Sequence, residues 1–268
     1  MTQPQVIIIT GASSGFGRAT ATLLASKGHT VYGLCRRPMD DNTIHYRQCD
    51  VRNRDEVRRV VDTIAEAEGR IDVLINNAGM GIGGALELAT DEEIDVQMGT
   101  NFMGCVNLCQ ATLPHMRRAR HGRIINLSSI GGVMGLPYQG FYSASKFAIE
   151  GFSEALAAEV KRFGIDVCMV EPGDFATGFT GSRRNSQATL DDPDYGPVFA
   201  RTLSLIEKEE NGGLKPEVLA RRIVRLVECR RPSLRNVVAN LEQWLSVVIK
   251  RILTGNQMVG LLRDYYKC

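Results

Sequence analysis

Val6-Ile7-Ile8-Ile9-Thr10-Gly11-Ala12-Ser13-Ser14-Gly15-Phe16-Gly17 carries an unbroken apolar run into a glycine turn. The run is too short for a helix and has no polar alternation, which predicts a strand buried on both faces of a parallel sheet. An amphipathic segment follows over about Arg18 to Ser26, and Gly28 fits its C-cap. Strand, glycine turn and helix in that order open a βαβ unit. Glycine admits positive φ and lets a backbone approach a phosphate, and the free N–H groups at the helix start bind anionic oxygens. The spacing here is Gly-x-x-x-Gly-x-Gly, so Gly11, Ser13, Ser14, Gly15, Phe16 and Gly17 are candidates to hold a dinucleotide pyrophosphate.

The same alternation continues outward. Strands are predicted at Thr30–Cys35, in a short run ending at Asp50, at Ile71–Asn76, Arg123–Ser128, Asp166–Val170 and Leu234–Val238. Helices are predicted over 53–67, Asn101–Arg118 and Phe141–Phe163, then from Pro216, and in the tail beyond Leu241. Strands alternating with helices imply right-handed crossovers and a doubly wound Rossmann sheet with helices on both faces. The expectation is one α/β domain over residues 1–268. Residues 174–215 form a lid region, rich in Gly, Ser, Thr, Asp and Pro up to 197, and 234–268 form a C-terminal extension.

Composition narrows the function. The chain has 268 residues, 44% of them apolar and 23% charged, with a net charge of +2. That balance gives no general attraction to a polyanion, and 6% aromatics offer no stacking platform for single strands. No nucleic-acid motif is present, so no nucleic-acid partner is expected. Seven cysteines, an odd number without a CxxC, read as buried thiols in a reducing cytoplasm, and no residues have metal-ligand spacing. Val6–Ile9 is too short for a signal peptide or a membrane span.

Two further patterns carry chemistry. A site for NAD usually places an acid about 20 residues beyond the first glycine, on the ribose 2′-hydroxyl. No Asp or Glu stands between Arg18 and Met39; the second strand ends in Arg36 and Arg37, whose planar cations suit a 2′-phosphate. This predicts NADP(H) in preference to NAD(H). Tyr142 and Lys146 are four apart at the start of a predicted helix, so they share one face, and a cation beside a phenol lowers its pKa from about 10. Such a phenol is a general acid for a carbonyl oxygen. Ser128 and Ser129 end the preceding strand.

Taken together, residues 10–17, Asp50-Val51, Asn76 to Gly79, Asn101, Ser129, Tyr142, Lys146, Pro172-Gly173 and Thr177 resemble the short-chain dehydrogenase/reductase family, in family order across roughly residues 5–177. Ser129 is preferred to Ser128 because the family usually places its serine thirteen residues before the tyrosine. The resemblance implies a catalytic set of Asn101, Ser129, Tyr142 and Lys146. Tyr142 would exchange the proton. Lys146 would lower its pKa and bond the nicotinamide ribose. Ser129 would hold the carbonyl, and Asn101 a water leading from Lys146 to solvent. It also implies adenine contacts at Asp50 and Val51, a ribose turn at Asn77, Ala78 and Gly79, and nicotinamide-side contacts at Pro172, Gly173 and Thr177. Ser14 stands where many NADP-linked relatives carry a basic residue.

Val170 to Thr177 and the tail look like the 17β-hydroxysteroid and retinol dehydrogenase-like branch, which implies a lipophilic ketone or alcohol: a steroid, a retinoid or a 3-ketosphinganine-like keto lipid. Leu136, Phe175 and Phe179 are candidate lining residues of an apolar substrate pocket. Reduction of a 3-oxoacyl thioester and a silent NADP(H) sensor are the rivals. From Lys215 to Arg251 nine Lys and Arg stand against three Glu. The tail either completes the core with solvated arginines or makes peripheral contact with a membrane. A homodimer or homotetramer is expected through the helices near 101–118 and 142–163, with Phe102, Val106, Phe147, Phe152 and Leu156 as apolar candidates.

Overall fold

A computed structural model describes residues 3–268, apart from the side chains of residues 179 and 180. Its centre is a parallel sheet. The strands are β1 (Val6–Thr10), β2 (Thr30–Cys35), β3 (His45–Gln48), β4 (Val73–Asn76), β5 (Gly122–Leu127), β6 (Ile165–Pro172) and β7 (Arg235–Val238). Among the described residues they lie in the order β3-β2-β1-β4-β5-β6-β7. Ile8 of β1 is in register with Tyr32 on one side and Leu74 on the other. The order reverses between β1 and β4, where the crevice at the strand ends is open to a ligand.

Every residue of β1 is buried, as its unbroken apolar run requires. Val6 and Ile8 face a core shared with α2 (Arg54–Glu68), α4 (Gly104–Ala119) and α5 (Gly140–Val160). Ile7 and Ile9 face the opposite core, closed by α1 (Gly15–Ser26) and α7 (Pro216–Glu228). This is the doubly wound Rossmann arrangement. Arg123 on β5 fastens the second layer. Its guanidinium donates to the carbonyls of Val227 and Cys229 at 2.8 Å, at the α7 C-terminus, and pairs with Asp166.

Several expectations are refined. The helix predicted from Asn101 is longer: α3 (Asp91–Met98) runs through a wide π-turn at Gly99–Met103 into α4. Leu156 is buried against the sheet and Phe152 packs on the core, whereas Phe147 is 44% exposed. The lid region contains α6 (Gly196–Asn211), which the periodicity does not reveal. Its buried positions include Phe199, Thr202, Ile206 and Glu210, so polar residues interrupt the apolar stripe. The tail forms α8 (Leu241–Lys250) and α9 (Gly255–Tyr266). With Met134 and Ile206 they build a third core from Val247, Met258, Leu262 and Tyr266. Among the described residues no helix is long and apolar enough to cross a membrane.

The tail is locked to α5 through one cation. Arg235, opening β7, pairs with the buried Glu150 of α5, with the buried Glu171 of β6 at 2.9 Å, and with Glu154 at 2.8 Å. Burial pushes the Glu150 carboxyl up to about 7. Removing Arg235 strands two buried carboxylates, a loss of about 3–5 kcal/mol. Arg235→Met is therefore expected to unfold at markedly lower urea at pH 8. Because the folded Glu150 pKa lies above its ordinary value, the burden is full above about 7 and eases as pH falls towards 4.5. The wild-type-to-variant gap in urea midpoint should accordingly narrow at pH 5.

Candidate active site

The glycine turn has the conformation its composition requires. Gly11 and Gly15 hold φ of 66° and 52°. A Cβ on Gly17 would stand 2.2 Å from the Gly11 carbonyl oxygen and 2.5 Å from Asn77 Nδ2, so helix, turn and neighbouring loop can approach only through glycine. Asn77 holds the turn from the other side. Its Nδ2 donates to the Thr10 and Gly11 carbonyls at 2.9 and 3.3 Å, while Thr10 Oγ1 accepts from the Asn77 and Ala78 amides, each at 2.9 Å. The Ser14 side chain makes no cap bond to α1, and the first turn of α1 carries no acid. The chemistry of this cradle fits a dinucleotide pyrophosphate: open N–H groups, two serines and no opposing charge.

Arg36 and Arg37 are exposed where β2 ends, one strand over from the turn. Beyond β3, the Asp50 carboxylate takes Arg52 Nη2 at 2.7 Å, and this partner holds it below the usual carboxylate range. Val51 is buried and its carbonyl accepts from Asn107 at 2.9 Å. These four residues form a flank separate from the cavity around Tyr142.

Asn101, Ser129, Tyr142 and Lys146 converge. The first turns of α5 carry Tyr142 and Lys146 on one face, and Lys146 Nζ stands 5.7 Å from the phenol ring centroid. The Lys146 ammonium donates to the Leu127 carbonyl at 2.8 Å. A Cβ on Gly79 would touch both Asn101 Oδ1 at 3.4 Å and Lys146 Nζ at 3.7 Å, so the three share one spot. The π-turn aims Asn101 inward, with its residue only 1% exposed. Both ends of its amide are engaged by protein: Oδ1 accepts from the Met80 amide at 2.8 Å, and Nδ2 donates to the Met80 carbonyl and Ser145 Oγ, each at 3.0 Å. Ser145 Oγ donates in turn to the Tyr142 carbonyl at 2.6 Å. Asn101 is thus a brace between the loop after β4 and the catalytic helix.

Of the two serines, Ser129 faces Tyr142 and hydrogen-bonds its phenol. Its Oγ also accepts from the Gly131 amide at 3.0 Å. Ser128 turns the other way, beneath Gly132, where a Cβ would lie 2.4 Å from its Oγ. One expectation is corrected. In place of the net lowering expected from Lys146, burial dominates at the Tyr142 phenol and pushes it above its ordinary value. The Ser129 hydroxyl opposes that rise, Glu210 and Asp174 add to it, and Arg183 draws it back. Burial also lowers the Lys146 ammonium to about 8. Both groups are therefore driven towards neutrality, which suits proton exchange within a dry site.

A cavity of about 700 Å³ runs from these residues to the tail. Its inner end has Phe16, Asn77, Gly79, Pro172, Gly173 and Thr177 beside Ser129, Tyr142 and Lys146. A Cβ on Gly173 would strike Gln243 Oε1 at 2.1 Å, so this glycine lets α8 close on β6. The outer end is apolar: Leu205, Leu245, Ile249, Leu261 and Leu262. Leu136 and Phe175 line it as expected, with Phe175 edge-on to Phe16 at 4.9 Å; the Phe179 side chain lies outside the described residues.

Spacing gave no sign of a polar band within this lining. Asp174 Oδ2 accepts from Gln243 Nε2 at 2.5 Å, Glu210 pairs with Arg183, and Glu209 accepts from Tyr265. Burial and the neighbouring Glu209 and Glu210 raise Asp174 to about 6. These residues are separated in sequence by the lid and the tail, so no local motif could join them. Ser145, in contrast, lay within the Tyr142–Lys146 segment, and its burial marks the role that spacing alone did not.

Comparison with known proteins agrees with the geometry. The short chain dehydrogenase family model matches residues 5–188. A 3-ketodihydrosphingosine reductase of Bacteroides thetaiotaomicron is 55% identical over 98% of each chain. Retinol dehydrogenase 8 of Bos taurus is 34% identical, over 87% of this chain and 80% of that one. The crystal structure of a short-chain dehydrogenase from Streptomyces avermitilis superposes with a TM-score of 0.83 at 32% identity, covering 98% of this chain and 97% of that one. With the glycine cradle, the parallel sheet and the Ser129–Tyr142–Lys146 cluster already in place, the chain belongs to the short-chain dehydrogenase family and is an oxidoreductase of CH–OH and C=O groups.

Proposed function

We propose that this protein is an NADP(H)-dependent reductase of a long-chain 2-amino-3-ketone of the 3-ketosphinganine type, acting in the cytoplasm as one domain over 1–268. The observation that carries this reading is the cavity: a polar band beside Tyr142 opens into an apolar channel walled by the tail. Such a ketone has an ammonium next to the carbonyl and an alkyl chain beyond it. The 3-ketodihydrosphingosine reductase similarity, spanning both chains almost entirely, supports the same substrate class.

In this mechanism Gly11, Ser13, Ser14, Gly15, Phe16 and Gly17 would hold the pyrophosphate, and Arg36 and Arg37 would hold the 2′-phosphate. Asp50 and Val51 border the adenine, Asn77 to Gly79 the adjoining ribose, and Pro172, Gly173 and Thr177 the nicotinamide side. When bound, the dinucleotide would supply the hydride for the carbonyl carbon. Ser129 donates a hydrogen bond to the carbonyl oxygen and fixes its direction. Tyr142 gives that oxygen its phenolic proton as the C=O π bond becomes C–H and O–H. Lys146, poised near 8, returns a proton towards the phenolate and meets the ribose hydroxyls. Asn101 keeps the Lys146 side of this path in place. The exposed Met103 and Phe147 are apolar positions suited to a homodimer or homotetramer.

Oxidation of NADPH at 340 nm should follow addition of 3-ketosphinganine, and Tyr142→Phe should lower kcat by about 10²–10⁴-fold while binding of NADPH persists. Turnover confined to an acetoacetyl thioester, or tight NADPH binding without turnover on any ketone, overturns the reading. Arg36→Ala with Arg37→Ala should raise KM for NADPH by about tenfold or more and leave KM for NADH nearly unchanged, since only the former bears the 2′-phosphate.

Asp174 gives a sharper test of the ammonium. An ionised carboxylate beside the substrate ammonium is worth about 1.5–3 kcal/mol, or roughly 10–100-fold in KM. Asp174→Asn should cost that factor for the amino ketone and leave a deaminated analogue within about twofold. With its pKa raised to about 6, Asp174 is a carboxylate above that value and neutral below it. The preference for the amino ketone should be present at pH 7.5 and fade as pH falls through 6. In Asp174→Asn this pH dependence should be largely lost.

A further inference from the structure

The apolar side chains of a folded chain scatter singly over its surface without consequence, but a contiguous group needs a partner. Four exposed large apolar residues, Leu86, Met103, Phe147 and Leu190, stand apart from the tail. The rest of this class among the described residues gather on α8, on α9 and on the turn between them. Ile252, Leu241 and Val259 are 77%, 73% and 67% exposed, and Trp244, Leu245, Ile249, Leu261 and Tyr265 are open to solvent beside them. On α8 the positions 241, 244, 245 and 249 fall on one helical face, with Ile252 in the turn that follows, while Val247 points into the third core. Beyond Val247, which it gives to the core, α8 thus turns a broad apolar face outward.

Two observations say what covers it. The patch is continuous with the cavity, because Leu245, Ile249, Leu261 and Tyr265 belong to both. Anything seated there also meets the channel to Tyr142. On the segment itself Lys250, Arg251, Arg263 and Lys267 stand against Glu242 and Asp264, with Asp264 paired to Arg263 at 2.9 Å; Glu209 of α6 bonds Tyr265 at the cavity edge, so the basic excess lies at the turn between α8 and α9, around Lys250 and Arg251. A second copy would close the channel it covered, and it would bring the same basic residues against themselves.

We infer that the outer face of α8 and α9 docks on an anionic lipid bilayer and admits a lipid from it directly into the cavity. This rests on the proposed long-chain substrate only for the cargo; the docking itself is a property of the surface. Apolar side chains enter the headgroup boundary, the basic residues meet anionic headgroups, and the helices lie in the plane without spanning it. A long-chain ketone then moves along the apolar wall from Leu261 towards Tyr142 without crossing water.

The test is flotation of the full-length protein with phosphatidylglycerol-containing vesicles and with pure phosphatidylcholine vesicles. The wild type is expected to float with the anionic vesicles, less at high salt, and weakly with the neutral ones. Leu241→Glu with Ile252→Glu touches no cavity residue, and its melting curve by circular dichroism checks the fold. It should cut the vesicle-bound fraction by about tenfold or more while NADPH affinity stays the same. Turnover of 3-ketosphinganine carried in those vesicles should drop with it, and turnover of a short water-soluble amino ketone should not. Flotation that is lost in the variant while neither ketone is reduced leaves docking standing and removes the substrate reading alone. The docking is overturned if the wild type stays with the soluble fraction, or if the variant floats like the wild type. It is equally overturned if light scattering shows a lipid-free dimer that the two glutamates dissolve.

Discussion

The hydroxyl of Thr10, at the end of the first strand, is the bond on which the functional edge of this molecule depends. Only 1% exposed, it accepts the amides of both Asn77 and Ala78 across the point where the strand order reverses. Two loops that share no sequence neighbourhood are thereby held at one height above the sheet. The Asn77 amide group closes the arrangement by donating back to the glycine turn. From that fixed corner the chain continues to Gly79, where the absence of a side chain leaves room for Asn101 and Lys146 to meet. A hydroxyl lost at position 10 would leave two partly buried amides without their protein acceptor, so this one side chain specifies the corner.

The fold was legible because its strands are buried on both faces. Val6 to Thr10 could be read as strand since neither face tolerates a polar residue, and the same holds for most of the parallel sheet. The convergence of Ser129, Tyr142 and Lys146 was legible for a different reason. Tyr142 and Lys146 share one helix face by spacing, and the strand carrying Ser129 ends beside that helix. What could not be read were features made by long-range burial. Helix α6 hid behind Thr202 and Glu210, which are buried through partners far away: Thr202 donates to the Tyr266 carbonyl, and Glu210 pairs with Arg183. Ser129 could be chosen over Ser128 by family spacing, whereas the place of Ser128 beneath Gly132 has no signal in the sequence.

The electrostatics of the site were misread in an instructive direction. A cation one turn from a phenol lowers its pKa in water-exposed surroundings, and that was the expectation. In the structure the cation is itself buried, so its own charge is disfavoured, and the phenol rises because burial penalises its anion. Proximity along a helix therefore fixes which groups interact, whereas burial sets the sign of the outcome. The same logic governs Asp174, whose carboxyl is raised by burial and by two neighbouring acids drawn from a different helix.

The C-terminal segment ties these strands of argument together. Arg235 locks its first strand to Glu150 of α5 and Glu171 of β6. Gly173 lets Gln243 close on the end of β6, and Gln243 then holds Asp174. The inner residues Val247, Met258, Leu262 and Tyr266 complete a core that the sheet alone does not provide. Having spent its inner face on that core, the segment has only its outer face left, and that face is apolar too. A helix pair with an apolar stripe on both sides is unstable as a free surface in water and sensible as a wall between a protein interior and another apolar phase. The tail accordingly closes a core on its inner side and presents an apolar face on its outer side, part of which also lines the cavity that reaches Tyr142.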